Sequence, residues 1–125
     1  MREDSGIGVD IESISRFSNV KSKNDKFLNT FMTEREIDYC FSKESPFPHI
    51  AARFAGKEAI IKALGGLRIR NISFKDIEIT NDKYGTPSAS IRFRRKLNIQ
   101  VKLSLAHSED RAIAFAVAIK EGRDA

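Results

Sequence analysis

Four residues combine a reactive side chain with an apolar setting, which an ordinary surface residue rarely has: Asp10, Glu58, Lys62 and His107. Two carboxylates supply the oxygen ligands that Mg²⁺ prefers, and Mg²⁺ held in this way keeps coordination positions for phosphate oxygens. A lysine beside the metal would neutralise further charge on a pyrophosphate while a hydroxyl group attacks in line. If the fold brings these residues together, they indicate phosphoryl-transfer chemistry.

Spacing alone also allows simpler roles for the same residues. Asp10 belongs to a preferred type of helix N-cap, and Glu58 with Lys62 has the i,i+4 spacing of an ordinary ion pair. His107 can equally be a satisfied turn residue. The sequence contains no Walker-type phosphate loop, no complete dinucleotide-binding glycine motif and no nucleophile elbow. A metal site and a purely structural role therefore both stay open at this point.

The segments that would position these residues begin with a strand. Residues 7–11 alternate between apolar and small or acidic types, which predicts a short strand with Asp10 opposite the apolar side chains. Residues 10–14 then offer a helix start. The capping box Thr33-Glu34-Arg35-Glu36 predicts a further helix over residues 34–42.

Residues 49–64 form the clearest helical segment, which Gly65-Gly66 is expected to end. Glu58 and Lys62 lie side by side at the edge of its apolar stripe. Lys57 projects onto that stripe, where we expect it to snorkel or to turn into the site. This helix therefore carries most of the candidate residues.

The second half of the chain predicts strands. A hairpin is centred near Tyr84-Gly85, and alternating residues predict a strand around residues 101–105. Residues 112–119 are apolar on both faces, which is typical of a central strand. We predict an α+β protein, with helices packed on an antiparallel sheet, in a single domain over residues 1–125.

The chain has 125 residues and a net charge of +5, and the positive excess lies in its second half. Much of it comes from a basic cluster, which consists of Arg92, Arg94, Arg95 and Lys96. Such a cluster attracts an anionic partner. A basic nucleic-acid-binding module is therefore one alternative, although such modules usually interleave several aromatic residues and only Phe93 lies within the cluster.

Other features predict a soluble cytoplasmic protein without a membrane partner. No apolar run approaches the ~20 residues that a membrane-spanning helix needs, and the N-terminus lacks the pattern of a secretory signal. The one cysteine, Cys40, cannot form an internal disulfide, which fits a reducing compartment. We expect Cys40 to be a small, half-buried hydrophobic residue.

A series of longer motifs follows in order along nearly the whole chain. They are Gly6-Ile7-Gly8-Val9-Asp10-Ile11, Arg16-Phe17, Phe31-Met32-Thr33-Glu34-Arg35-Glu36, Ala52-Arg53-Phe54-Ala55-Gly56-Lys57-Glu58-Ala59-Ile60-Ile61-Lys62-Ala63-Leu64-Gly65, Asp76-Ile77-Glu78-Ile79, Gly85-Thr86-Pro87 and Leu103-Ser104-Leu105-Ala106-His107-Ser108. This series resembles the holo-acyl-carrier-protein synthases, which are small 4′-phosphopantetheinyl transferases and share one fold.

The resemblance implies transfer of the 4′-phosphopantetheine arm of coenzyme A to a serine of apo acyl carrier protein. Adenosine 3′,5′-bisphosphate would be released, and the reaction would serve fatty acid biosynthesis. Mg²⁺ is the implied metal, with Asp10 and Glu58 as its ligands and Lys62 at the pyrophosphate. A serine hydroxyl is a poor nucleophile at neutral pH, so a base is needed. Glu58 is the candidate base, directly or through a water that it orients.

The resemblance also implies how the substrates and subunits are arranged. The implied coenzyme A site contains Arg53, Gly85, Thr86, Pro87 and His107, with Arg53 and His107 at the nucleotide phosphates. Arg16 matches a position that holds the acidic carrier protein. The family implies a homotrimer with each active site between neighbouring subunits. Residues 94–100 are shorter than the corresponding family segment, and a catalytically degenerate relative that binds carrier protein without turnover is the second alternative.

Overall fold

The computed structural model describes residues 4–93 and 98–121. The helices in these ranges are α1 (Lys26–Phe31), α2 (Glu34–Phe41) and α3 (Phe47–Gly66). The strands are β1 (Ser5–Ser13), β2 (Ile77–Asn81), β3 (Pro87–Ile91), β4 (Ile99–His107) and β5 (Arg111–Lys120). An antiparallel sheet contains β1, β5 and β4 in that spatial order, and β2 pairs with β3 in a second sheet. The α+β prediction and the central position of β5 are confirmed.

Helix α3 lies directly on the backbone of β1, and two glycines make this approach possible. A Cβ atom at Gly8 would lie 1.9 Å from the carbonyl oxygen of Ala59, and one at Gly6 would lie 2.0 Å from that of Ala63. The residues of β5 that pair with Gly6 and Gly8 are buried alanines. Small residues on three elements thus allow close backbone packing.

The opposite face of the same sheet is apolar and exposed. We define the outer face as Ile7, Val9, Ile11, Ile113 and Phe115, whose side chains are between 42% and 68% exposed. Val9 pairs with Phe115 and Ile11 with Ile113, so these residues form one contiguous patch. The alternation predicted for β1 is confirmed, but the glycine face is the one that packs on the helix.

The predicted helices form with small changes at their ends. The capping box of α2 is present, with Thr33 Oγ1 accepting from the Glu36 amide and Glu36 accepting from the Thr33 amide. Helix α3 begins two residues earlier than predicted, because Pro48 is tolerated in a first turn, and it extends through Gly66. Helix α1 was not predicted; it starts after Asp25, whose side chain caps it.

The helix start predicted at residues 10–14 is wrong. Strand β1 continues to Ser13, because its end pairs with the beginning of β5 through Glu12–Ala112 and Ser13–Arg111. A single 3-10 turn over Ile14–Phe17 follows. Asp10 is therefore a strand residue and not a helix N-cap.

Lys57 is buried and neither snorkels nor enters the candidate site. Its Nζ donates to Glu36 Oε1 at 2.7 Å, to the Phe31 carbonyl at 2.6 Å and to the Phe74 carbonyl at 3.1 Å. Glu36 Oε2 in turn accepts from the Ile79 amide at 2.7 Å. Burial lowers the pKa of Lys57, and the carboxylate of Glu36 opposes that shift. This ion pair joins α3 to α1, α2 and β2 in the interior.

The remaining predictions concern the second half of the chain. The hairpin is confirmed, with β2 and β3 joined by a turn that contains Tyr84 and Gly85. Arg94, Arg95 and Lys96 of the basic cluster lie outside the described residues, as does most of the shortened segment at 94–100.

Within the described ranges, every helix is too short or too polar to cross a membrane.

We predict that Gly8→Ala lowers the free energy of unfolding by about 3 kcal/mol, because the new methyl group overlaps the Ala59 carbonyl. Urea denaturation of the purified variant measures this loss. Gly65→Ala is the matched control, since a Cβ there meets only Arg70 Nη1 at 3.5 Å. Alanine in a helix is favoured by up to about 1 kcal/mol, so the control should be at least as stable as the parent. Equal stabilities of the two variants would contradict the close packing of β1 on α3.

We predict that Lys57→Met and Glu36→Gln each cost about 3–5 kcal/mol, because either change leaves the other charge buried and unpaired. The double variant should lose clearly less than the sum of the two, which a double-mutant cycle in urea measures. Lys23→Met removes an exposed lysine that lies 3.1 Å from Asp38 and should cost at most about 1 kcal/mol. Strictly additive losses at positions 36 and 57 would rule out the proposed coupling.

Candidate functional site

Asp10 and Lys62 meet where β1 crosses α3. Lys62 Nζ donates to the Val9 carbonyl at 3.0 Å and lies 3.5 Å from Asp10 Oδ1. Glu58 is half-buried and precedes Lys62 by one turn on the same side of α3. The structure thus brings together two of the candidate residues by contact and places the third beside them on the helix. We call Asp10, Glu58 and Lys62 the acidic cluster.

Glu12 belongs beside this cluster, and the sequence analysis missed it. It lies two residues from Asp10 on β1 and therefore projects from the same face of the strand. Burial and the neighbouring Asp10 carboxylate raise the pKa of Glu12. The i,i+2 spacing of the two carboxylates was visible in the sequence, but the predicted helix start at this point hid its meaning.

The acidic cluster has the properties of a partial cation site. Asp10 Oδ2 is buried and has no hydrogen-bond partner within residues 4–93 and 98–121. A buried carboxylate oxygen without a partner is costly, and a cation would satisfy it. No group of three or more His, Cys, Asp or Glu side chains that could hold a metal occurs in those ranges. Asp10 and Glu58 would thus supply only two oxygen ligands, which fits Mg²⁺ because this cation commonly takes the rest of its ligands from water and phosphate.

Arg16 lies on the 3-10 turn after β1, at the rim of the acidic cluster. Its guanidinium Nη1 donates to Glu12 Oε1 at 2.9 Å, and its Cζ lies 4.5 Å from the centre of the Phe54 ring. The side chain remains 48% exposed. Arg16 is thus held in place from one side while its other side is free to contact a partner.

Arg53 lies in a different environment. It is 2% exposed, and its Cζ lies 4.3 Å from the centre of the Tyr39 ring. Its Nη2 donates to the side chain of Asn81, whose amide Nδ2 donates to the Gly85 carbonyl at 3.0 Å. Asn81 therefore links Arg53 to the turn at Gly85, where the positive φ of 85° suits glycine. Arg53 Nε is buried without a partner among the described residues.

His107 ends β4 and is exposed, and it lies beside a histidine that the sequence analysis did not single out. The ring centres of His107 and His49 are 5.9 Å apart in an edge-to-face arrangement. The His49 ring also meets Tyr39 edge to face at 5.9 Å. We define the cationic cluster as Lys43, His49, Arg53 and His107. The first three contact the Tyr39 ring, and His107 contacts the His49 ring. Groups of this kind bind phosphate oxygens.

The two clusters lie on different sides of α3. Arg53 and Lys62 are nine residues apart on this helix, which corresponds to about two and a half turns. Their side chains therefore leave the helix in opposite directions, toward Asn81 on β2 for Arg53 and toward β1 for Lys62. The geometry thus separates the acidic cluster from the cationic cluster within one chain.

Comparisons with known proteins agree with the motifs. The family model described as the 4′-phosphopantetheinyl transferase superfamily matches residues 6–116. The chain is 42% identical over 113 residues to the holo-[acyl-carrier-protein] synthase of Thermodesulfovibrio yellowstonii, a match that covers 90% of this chain and 96% of that protein.

Solved structures are similar as well. A holo-(acyl-carrier-protein) synthase from Bacillus anthracis in complex with CoA (3′,5′-ADP) matches with a TM-score of 0.75 and 33% identity, over 93% of this chain and 96% of that one. The Helicobacter pylori holo-[acyl-carrier-protein] synthase in complex with coenzyme A matches with a TM-score of 0.75 and 36% identity, over 90% of this chain and 98% of that one. The chain belongs to the holo-[acyl-carrier-protein] synthase family of the 4′-phosphopantetheinyl transferase superfamily.

Proposed function

We propose that this chain transfers the 4′-phosphopantetheine group of coenzyme A to a serine of apo acyl carrier protein. The serine oxygen forms a bond to the phosphorus that carries the pantetheine arm. The bond from that phosphorus to the bridging oxygen breaks, and adenosine 3′,5′-bisphosphate leaves. The observation that carries the proposal is the contact of Asp10 with Lys62, since it joins the β1 motif to the α3 motif at one place.

The acidic cluster would act on the pyrophosphate. Asp10 and Glu58 would hold Mg²⁺, which supplies charge neutralisation for the leaving bisphosphate when it is bound. Lys62 provides a second positive charge next to Asp10 and would contact a pyrophosphate oxygen. Glu58 would accept the proton of the serine hydroxyl, directly or through a water. Glu12, kept close by Arg16, adds negative charge that favours cation binding at Asp10.

The cationic cluster would hold the nucleotide. Arg53 and His107 would bind its phosphates, and the turn formed by Gly85, Thr86 and Pro87 would lie against the nucleotide. Asn81 connects this turn to Arg53, which supports a single binding surface made from both. Stacking on Tyr39 restrains the Arg53 guanidinium, so less side-chain entropy is lost when a phosphate binds.

A homotrimer with active sites between neighbouring subunits would unite the two clusters. They leave α3 on opposite sides, so one coenzyme A molecule would take the acidic cluster from one subunit and the cationic cluster from its neighbour. The outer face supports association of copies of this chain, because five large apolar side chains are exposed on one sheet surface. Arg16, exposed at the rim of the acidic cluster, would receive an acidic acyl carrier protein.

We assign the reaction to the cytoplasm and to fatty acid biosynthesis. The state of Cys40 supports a reducing compartment, since it is a free and fully buried thiol. Burial raises the pKa of Cys40 to about 12, so the thiolate that reacts with oxidants is scarce. Cys40 is thus more buried than the sequence analysis expected and has a structural role.

We predict that intact mass spectrometry will show apo acyl carrier protein gaining one phosphopantetheine group when it is incubated with this protein, coenzyme A and Mg²⁺. Asp10→Ala and removal of Mg²⁺ should each abolish the gain, because the cation site is lost. Lys62→Ala should lower kcat/KM about 10²- to 10³-fold.

Lys23→Ala, at an exposed lysine paired with Asp38, is the matched control and should keep the parental rate. Parental turnover by Asp10→Ala would contradict the proposed metal site. Binding of several apo carriers without any mass gain would favour a catalytically degenerate relative. A Mg²⁺-independent, salt-sensitive affinity for nucleic acid, without turnover, would favour the nucleic-acid-binding alternative.

A further inference from the structure

His49 is a titratable residue inside the cationic cluster to which neither the motifs nor the proposed reaction assigns a role. It is the third residue of α3 and is half-buried. Its ring lies between Tyr39 of α2 and His107 of β4, at 5.9 Å from the centre of each ring. The imidazole is therefore packed edge to face against an aromatic ring on each side.

The charged groups that act on His49 all have the same sign. They are Lys43 after α2, Arg53 within α3 and His107 at the end of β4, and Tyr39 is the neutral titratable neighbour. Burial and these three cationic groups lower the pKa of His49. Partial positive charge at the first turn of a helix, where His49 lies, acts in the same direction. A cluster of positive groups of this kind favours an anion.

Arg53 gives a second observation that points to an anion. It is 2% exposed, and its Nε has no hydrogen-bond partner among residues 4–93 and 98–121. A buried guanidinium nitrogen without an acceptor is costly, and a phosphate oxygen would supply one. The rings of Tyr39 and His49 connect this guanidinium to His107, so a single phosphate could meet several members of the cluster.

We propose that His49 is a further specificity-determining residue, which binds the phosphomonoester of the nucleotide together with Arg53 and His107. The inference rests on the proposed function and adds to it the recognition of the 3′-phosphate of coenzyme A by a histidine pair. A phosphomonoester carries nearly two negative charges above its second pKa of about 6, whereas each pyrophosphate unit carries one. An imidazole that takes up a proton on binding, as proposed for His49, selects for the doubly charged group.

Proton uptake makes the affinity depend on pH with a defined sign. A bound dianion raises the pKa of His49 above its value in the free protein. Affinity for the phosphomonoester therefore rises as the pH falls through the pKa that His49 has in the complex. The gain ends once the free protein also binds the proton at its own, lower pKa, or the phosphate itself takes up a proton.

Calorimetry with adenosine 3′,5′-bisphosphate and adenosine 5′-monophosphate tests the proposal without turnover. The parent protein should prefer the bisphosphate. His49→Phe, which keeps an aromatic ring between Tyr39 and His107, should lower that preference about five- to tenfold. Proton uptake, measured in two buffers of different ionisation enthalpy, should also decrease. His49→Gln keeps a hydrogen-bonding side chain that cannot be protonated and should show the same loss.

Steady-state kinetics gives a second measure. In both variants the KM for coenzyme A should rise about five- to tenfold while the KM for dephospho-coenzyme A stays unchanged. Two results would overturn the proposal and assign His49 to ring packing. One is an unchanged preference for the bisphosphate in a variant that folds like the parent, and the other is an equal rise of the KM values for coenzyme A and dephospho-coenzyme A.

The two proposals fail in different ways. If the parent forms product but the His49 variants keep the parental selectivity, only this inference fails. If the parent neither binds adenosine 3′,5′-bisphosphate nor forms product, the proposed function fails with it.

Discussion

The close contact between β1 and α3 is the constraint on which the rest of the structure depends. Gly6 and Gly8 lie so near the carbonyl oxygens of Ala63 and Ala59 that any side chain would separate the two elements. This approach positions the backbone of β1 beside Lys62, which donates to the Val9 carbonyl. Two residues beyond Gly8, the same face of the strand carries Asp10. The position of Asp10 beside Lys62 therefore depends on the two glycines.

The same contact determines which side chains of the sheet face outward. Because the small residues of β1 and β5 are used against α3, their large apolar residues face outward, as at Val9 and Phe115. On the other side of the helix, the buried ion pair of Lys57 and Glu36 joins α3 to the elements around it. Such a pair adds little net stability but strongly disfavours arrangements in which one partner is unpaired. The helix is thereby fixed on both sides, with a cluster of functional residues next to each.

Much of the fold was predictable from local patterns, but the environment of several residues was not. The alternation of β1, the capping box at Thr33 and the turn at Gly85 depend on neighbouring residues, and the structure confirms each of them. The outward orientation of the apolar face depends on which element covers the glycines, which a strand pattern cannot show. Lys57 was misjudged for a similar reason, because Glu36 lies 21 positions away and the two meet only through tertiary packing.

The candidate site, too, was predictable from the sequence only in part. Asp10, Glu58 and Lys62 were singled out from residue types and motifs, and the structure places Asp10 in contact with Lys62. Mixing two impaired variants is the most direct test of the central claim, that one active site uses both sides of α3 from different subunits. In the proposed site, His107→Asp would repel the nucleotide phosphate and Lys62→Ala would remove the pyrophosphate contact. When the two chains are co-folded, random assembly of trimers should restore activity at about one quarter of the sites. A mixture no more active than the two variants measured separately would contradict the account.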